Sequence, residues 1–300
     1  MSDQLSSIVR GEPEKLASGF GFTEGPVWHP DSYLYFSDIP NNHLLKWAPG
    51  QSPYVAMENT QGGNGLTFDK QGRLLMCQMA ARRVVRFDGE GAMTVVADRW
   101  EGKRLTAPND VVGRSDGTIF FTDPGGRVPM EEREIKFAGV YTVSPDGKMG
   151  LGTDECEYPN GLAFSPDESI LYVAISRKNL DCLKEEERGE VCTHRLIRAF
   201  DVAADGSLSN NRIFADMSSD LPGVPDGMKV DMDGRVWCTG NGGTQVYDRD
   251  GNHVGDLRTD EVPANCAWGG SDNRTLFLTA RTSVYTVRVN TPGTPIPRGS

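Results

Sequence analysis

The chain has 300 residues, and its 42 acidic against 31 basic side chains give a formal net charge of −11, which argues against the basic face that nucleic-acid partners require. No stretch approaches the ~18 apolar residues of a membrane span, and the opening MSDQLSSIVRGEPEKL carries charges without the apolar core of a secretory signal. The expectation is a cytoplasmic protein with reduced cysteines that binds neither nucleic acid nor membrane.

The 35 Gly and 18 Pro are spread along the chain as turn punctuation and mark no linker, so a single domain over residues 1–300 is expected. Residues 1–13 read as a mobile arm, and residues 14–23 (EKLASGFGFT) as a strand leading into the first of six copies of one pattern. Each copy has a polar opener, a short apolar run, a tight turn and a second apolar run. The copies begin at Glu24 (EGPVWHPDSYLYFSD), Asn64 (NGLTFDKQGRLLMCQ), Asn109 (NDVVGRSDGTIFFTD), Asn160 (NGLAFSPDESILYVA), Asp226 (DGMKVDMDGRVWCTG) and Asn265 (NCAWGGSDNRTLFLTA). The openers lie 40, 45, 51, 66 and 39 residues apart. A period of roughly 40–50 residues carrying about four short strands is that of a propeller blade. The fold class is therefore all-β, a six-bladed β-propeller.

Several smaller features follow the same frame. Cys77 and Cys238 stand at matching places inside apolar runs and read as buried thiols, whereas Cys182 and Cys192 flank the acidic stretch LKEEERGEV and read as free loop thiols, or as a pair in an oxidising environment. Two insertions, RVPMEEREIKF in the third copy and SRKNLDCLKEEERGEVCTHRLI after the fourth, are placed as loops over one face, which would then hold the site. Gly113-Arg114-Ser115-Asp116-Gly117 matches the GxSxG string but falls in a hairpin turn, the wrong setting for a serine nucleophile. The histidines His29, His43, His194 and His253 have no metal-ligand spacing, and His29 reads as a surface or packing residue. The N-terminal strand is expected to complete the last blade beside TLFLTA and SVYTVRV, removing exposed edges, and residues 290–300 read as a tail.

The innermost strands of a propeller surround its channel, so residues at their starts form a ring. Here that ring is Glu24, Asn64, Asn109, Asn160, Asp226 and Asn265, two carboxylates and four amides with no lysine or arginine. Asn and Asp also serve as turn formers, but six in register point to a shared role. A ring of oxygens with a formal charge of −2 suits a hard divalent cation. Without a cation, the two carboxylates repel and one tends to bind a proton.

The combination TEGPVW, APNDVV, YPNGLAFSPDESILYVA, VPDGMKVDMDGRVW and NCAWGG resembles the SMP-30/gluconolactonase/LRE family over about residues 20–285. The resemblance implies a six-bladed propeller with one divalent metal at the hub, calcium first and zinc, manganese or magnesium as alternatives. It also implies Glu24, Asn109, Asn160 and Asp226 as ligands, and a gluconolactonase-like activity that opens a lactone with the metal as Lewis acid. Asp226 is then the general base, or in a competing scheme the nucleophile. The partner implied is a small lactone or ester. The alternatives are a phosphotriester or aryl-ester hydrolase of the same family, or a non-catalytic binding platform with a structural metal. Asn64, Arg104, Asp110 and Asn265 are the candidates for substrate contact. The sugar lactonases of the senescence-marker type place an arginine two residues before the ligand asparagine, where this chain has Ala107, with Arg104 close by.

Overall fold

The computed structural model describes residues 2–88, 91–126, 128–176 and 195–296. Cys182, Cys192, the acidic stretch between them and His194 lie outside the described residues.

Six antiparallel four-stranded sheets stand in a ring, each running outward from an inner strand. The inner strands are Thr23–His29, Gly63–Phe68, Val111–Gly113, Pro159–Phe164, Met228–Val230 and Asn265–Gly269, so every predicted opener lies at or within two residues of the start of one. The blades are buried on both faces. In the third, Val111 packs toward the second blade with Leu75 and Cys77, while its neighbour Val112 packs toward the fourth with Leu162 and Phe164. Successive strand residues point to opposite faces, and here each face meets another blade. That is why IFFTD and ILYVAI read as continuous apolar runs rather than alternating ones. Cys77 and Cys238 are fully buried in two such interfaces, and both are free thiols.

The turns carry their own chemistry. Asp69 Oδ1 accepts from the N–H groups of Gln71 and Arg73, and Asp231 Oδ1 accepts from Asp233 and Arg235. These are Asx-type closures of the predicted D-G and Q-G turns. The GxSxG string is such a turn, closed by Arg114 N–H donating to Thr118 O at 2.8 Å. Its Ser115 hydroxyl donates to Glu168 at 2.5 Å. His29 stacks on Tyr33 with ring centroids 4.4 Å apart, a packing role as expected.

Both chain ends differ from the expectation. The N-terminal segment is packed, not a mobile arm. Asp3–Ser6 forms a helical turn with Leu5 fully buried between the fifth and sixth blades, and Val9–Ser18 is the outermost strand of the sixth sheet, antiparallel to Ser283–Val289. The closing strand thus starts before residue 14. Its polar sequence misleads because an outer strand has one solvated face, and Pro13 is accommodated at a bulge between Arg10 and Glu14.

At the other end, residues 290–296 are seated under the ring. The Gly293 N–H donates to Asn273 O at 2.9 Å, and the Thr294 N–H and hydroxyl both donate to Val230 O at 3.1 Å. Ile296 packs with Val27, Leu66 and Phe68. Val230 and Phe68 are the last residues of their inner strands, so the segment lies at the end of the channel away from the openers. No helix among the described residues is long and apolar enough to cross a membrane.

Candidate functional site

The six openers meet in sequence order around the channel, one at each seam between blades. The close approach is made by glycines: a Cβ at Gly25 would lie 2.1 Å from Asn64 O, and one at Gly65 would lie 2.7 Å from Asn109 O. Gly161 stands against Asp226 and Gly227 against Asn265 in the same way. The seam from third to fourth blade is made by the Thr122 hydroxyl, which donates to Asn160 O at 2.8 Å, and Asn265 closes the circle onto Glu24. Of these four glycines only Gly25 has a positive φ, of 48°. The E-G, N-G and D-G pairs that read as turn formers are therefore mainly places where the next inner strand must come close.

The third blade breaks this pattern, with Asp110 where four of the others carry glycine. Its carboxylate turns into the ring. Asn265 Nδ2 donates to Glu24 Oε2 at 3.0 Å and to Asp110 Oδ2 at 3.5 Å, so one amide nitrogen bridges two buried carboxylates. Asn265 Oδ1 accepts from the Cys266 N–H, Glu24 Oε2 from the Gly25 N–H and Asp110 Oδ1 from the Val111 N–H. Both ends of the Asn265 amide are thereby engaged within the protein, and its place is that of a brace.

Burial pushes the Glu24 carboxyl up to about 7, with the Asp110 charge adding to the rise, while the Gly25 N–H, Asn265 and Lys229 pull it down. Burial also raises Asp110, and Lys229 again works against the rise. Lys229 is the residue that sequence reasoning missed. It sits on the fifth inner strand, only 6% exposed. The signal was available, because the position three after each opener is Val27, Thr67, Val112, Ala163 and Trp268 in the other copies. A lysine is the exception in that uncharged register.

The remaining predicted residues are placed as follows. The Asn160 Nδ2 donates to the Ser176 hydroxyl at 2.9 Å, which leaves Oδ1 as the free end of the amide. Asn64 Nδ2 faces the Met79 sulfur at 3.4 Å, and its buried Oδ1 has no partner, an acceptor waiting for a donor. Asn109 and Asp226 are half-buried at the rim, their N–H groups held by Thr122 O and Thr239 O at 2.8 and 2.9 Å. Arg104 is on a separate hairpin, its guanidinium donating to Ala81 O at 3.2 Å, and among the described residues it makes no hydrogen bond to an opener. Ala107 is buried, its N–H donating to Asp123 Oδ1 at 2.7 Å. The connections after Asp123 and Ile175, which carry the two insertions, leave their blades at this same end.

The donor set suits a hard divalent cation: carboxylates and amide oxygens with no sulfur or imidazole, and carboxylates whose proton affinity is raised first by burial. Among the described residues no three His, Cys, Asp or Glu side chains form a metal cluster. A cation here would therefore draw on the amides of Asn109 and Asn160 as well as on Glu24 and Asp226.

A closed six-bladed ring with acidic and amide openers at its hub defines a class of propeller, and the comparisons specify it. Residues 22–282 match the family described as SMP-30/Gluconolactonase/LRE-like region, and the chain belongs to that family. It is 30% identical to a gluconolactonase of Zymomonas mobilis, the match covering 93% of this chain and 82% of the relative. It is 32% identical to a pentonolactonase of Haloferax volcanii, over 85% of this chain and 80% of that one. Among solved structures, a gluconolactonase of Xanthomonas campestris superposes with a TM-score of 0.82 at 32% identity, covering 96% of this chain and 93% of its own.

Proposed function

We propose that this protein is a metal-dependent hydrolase that opens lactones. The observation that carries the reading is the hub itself, where Glu24, Asp110 and Asn265 from three blades meet inside a ring of oxygen donors. Family membership and the lactonases among the relatives support the substrate class.

When bound, a divalent cation, with calcium favoured by the all-oxygen donor set, would polarise the lactone carbonyl and stabilise the oxyanion that forms from it. Glu24, Asn109, Asn160 and Asp226 would hold it, with Ser176 fixing the orientation of the Asn160 amide. Asp226, half-buried at the rim, takes the proton from the attacking water as the oxygen adds to the carbonyl carbon. The ring C–O bond then breaks, and the proton passes to the departing alkoxide to give a hydroxy acid. The unpartnered Asn64 Oδ1 supports a role for Asn64 as an acceptor lining the channel. Asp110 and Asn265 act as a pair that keeps Glu24 in position.

The test is hydrolysis of gluconolactone, a γ-lactone and dihydrocoumarin by chelated protein, by protein reloaded with calcium, zinc, manganese or magnesium, and by Asp226→Asn. Expected are loss of turnover on chelation, recovery with at least one metal, and a loss of about 10²-fold or more in Asp226→Asn with the fold kept. Failure to hydrolyse every lactone under every metal would remove the hydrolase reading and leave a binding platform.

A further inference from the structure

The second strand of each blade ends at the openers' end of the channel. Its last residue is Asp38 in the first blade and Asp123 in the third, against Gln78, Ile175, Gly240 and Ala280 in the others. Both aspartates are buried, each only 2% exposed, and a buried carboxylate is costly unless hydrogen bonds compensate it. Here the compensation comes from backbone just ahead of an opener. Asp123 Oδ2 accepts from the Thr106 N–H at 2.6 Å and its Oδ1 from the Ala107 N–H at 2.7 Å. Asp38 accepts from the Gly21 N–H at 3.0 Å, from the Phe22 N–H at 3.1 Å and from Asn41 Nδ2 at 2.8 Å. In both blades the two N–H groups belong to the residues three and two places before the opener, Asn109 or Glu24.

We infer that Asp38 and Asp123 are positioning residues: each clamps the two peptide groups ahead of an opener and so fixes where Glu24 and Asn109 present their side chains at the hub. Little freedom remains between clamp and opener. In the third blade the one residue between them is Pro108, whose ring fixes φ, and the Asn109 N–H is held by Thr122 O at 2.8 Å. In the first it is Thr23, whose N–H donates to Arg281 O at 2.6 Å and whose hydroxyl donates to Ser283 O at 3.0 Å. A carboxylate suits the task because its two oxygens take two N–H groups at once, in charge-assisted bonds that are short and strong. The seat is shaped for it as well, since a Cβ at Gly21 would lie 2.9 Å from Asp38 Oδ1. The consequence for a bound cation rests on the metal reading above; the placement of the openers does not.

Calorimetric titration with calcium, well below the melting temperature, is carried out on Asp123→Asn and Asp38→Asn. Each substitution keeps the shape of the side chain but turns an NH2 group onto a backbone N–H. Both variants are expected to bind calcium about tenfold or more weakly than the parent. The control is Asp69→Asn. Asp69 is also a buried carboxylate that accepts from two backbone N–H groups, but in the turn after Phe68 at the far end of its blade. Its variant is expected to bind calcium within about twofold of the parent however far its melting temperature falls. Parent-like affinity in both clamp variants, or an equal loss in Asp69→Asn, would overturn the inference.

Hydrogen exchange at the Asn109 amide of chelated protein reads the clamp without any cation. Asp123→Asn is expected to speed that exchange about tenfold or more, and Asp69→Asn to leave it unchanged. An unchanged rate in Asp123→Asn would defeat the clamp. If Asp123→Asn does not fold, Asp123→Ser, which keeps one acceptor, is measured with the same expectations. Failure of both to fold would make Asp123 a structural residue and defeat the inference for the third blade. A parent that binds no divalent cation would instead defeat the metal reading, and the exchange result would stand independently.

Discussion

The two ends of the channel are built from the same six inner strands, yet they hold opposite contents. At the end where the strands begin, Glu24, Asp110 and Asn265 are bound side chain to side chain across three blades, with acidic groups held close together against their own repulsion. At the end where they finish, Phe68, Phe164 and Val230 converge on Thr294 and Ile296, and residues 290–296 cover them. The first arrangement costs stability and offers charge; the second contributes stability through packing, with the buried Lys229 bordering it. A rigid closed wheel lets one end carry the strain because the other end and the blade interfaces are well packed.

The largest expected effect comes from breaking the charged end. Glu24→Gln keeps the length of the side chain and an oxygen for the Gly25 N–H but removes the charge. We expect kcat/KM on the best lactone to fall by about 10²- to 10³-fold while circular dichroism is unchanged. A variant within tenfold of the parent would mean that the chemistry does not take place at this end.

A smaller effect is expected from pH. In metal-free protein burial pushes the Glu24 carboxyl from its ordinary 4.5 up to about 7, so between those values the folded state holds more protons than the unfolded one. Its contribution to stability is present below the unfolded value and is lost as pH rises toward the folded value, a difference of up to about 3 kcal/mol. Chelated parent should therefore lose stability between pH 5 and pH 8 relative to Glu24→Gln, as read by urea unfolding at each pH. Parallel profiles would show that Glu24 is not the group concerned. The comparison sharpens if saturating cation abolishes the difference.

The smallest effect is expected at the packed end. Ile296→Ala removes a half-buried side chain from the cluster of the first and second blades and should cost about 1–2 kcal/mol, measured as a fall in the urea midpoint. Lactone turnover and calcium affinity are expected to stay within twofold of the parent. A loss of turnover comparable to that of Glu24→Gln would show that the two ends are not separable.

Much of this was legible in the chain. Six openers in register led to the inner strands and to their meeting at one hub, and the N-terminal strand was rightly assigned to close the last blade. The family resemblance carried by EGP, ND, PNG and PDG was also correct. What misled was local chemistry read without its surroundings. The glycines after Asn64, Asn160 and Asp226 resemble turn residues and are close-approach residues. Asn265, a candidate for substrate contact, also has both ends of its amide engaged within the protein, which its sequence setting does not show. The polar residues 2–13 and the Pro-rich residues 290–296 resemble loose ends, yet one completes a sheet and the other covers the channel. Lys229 went unnoticed because a single lysine in a strand has no pattern of its own until the six copies are aligned at that position.

The sequence by itself determined the number of blades, the strand that closes the ring and which residues begin each inner strand. All three follow from hydrophobic periodicity and turn chemistry, which act over a few residues and repeat. Only the tertiary structure decided which of those residues touch. Asn265 reaches Glu24 across 241 residues of chain and Asp110 across 155. Such meetings depend on the curvature and packing of a closed wheel, for which no local stretch of sequence carries a code.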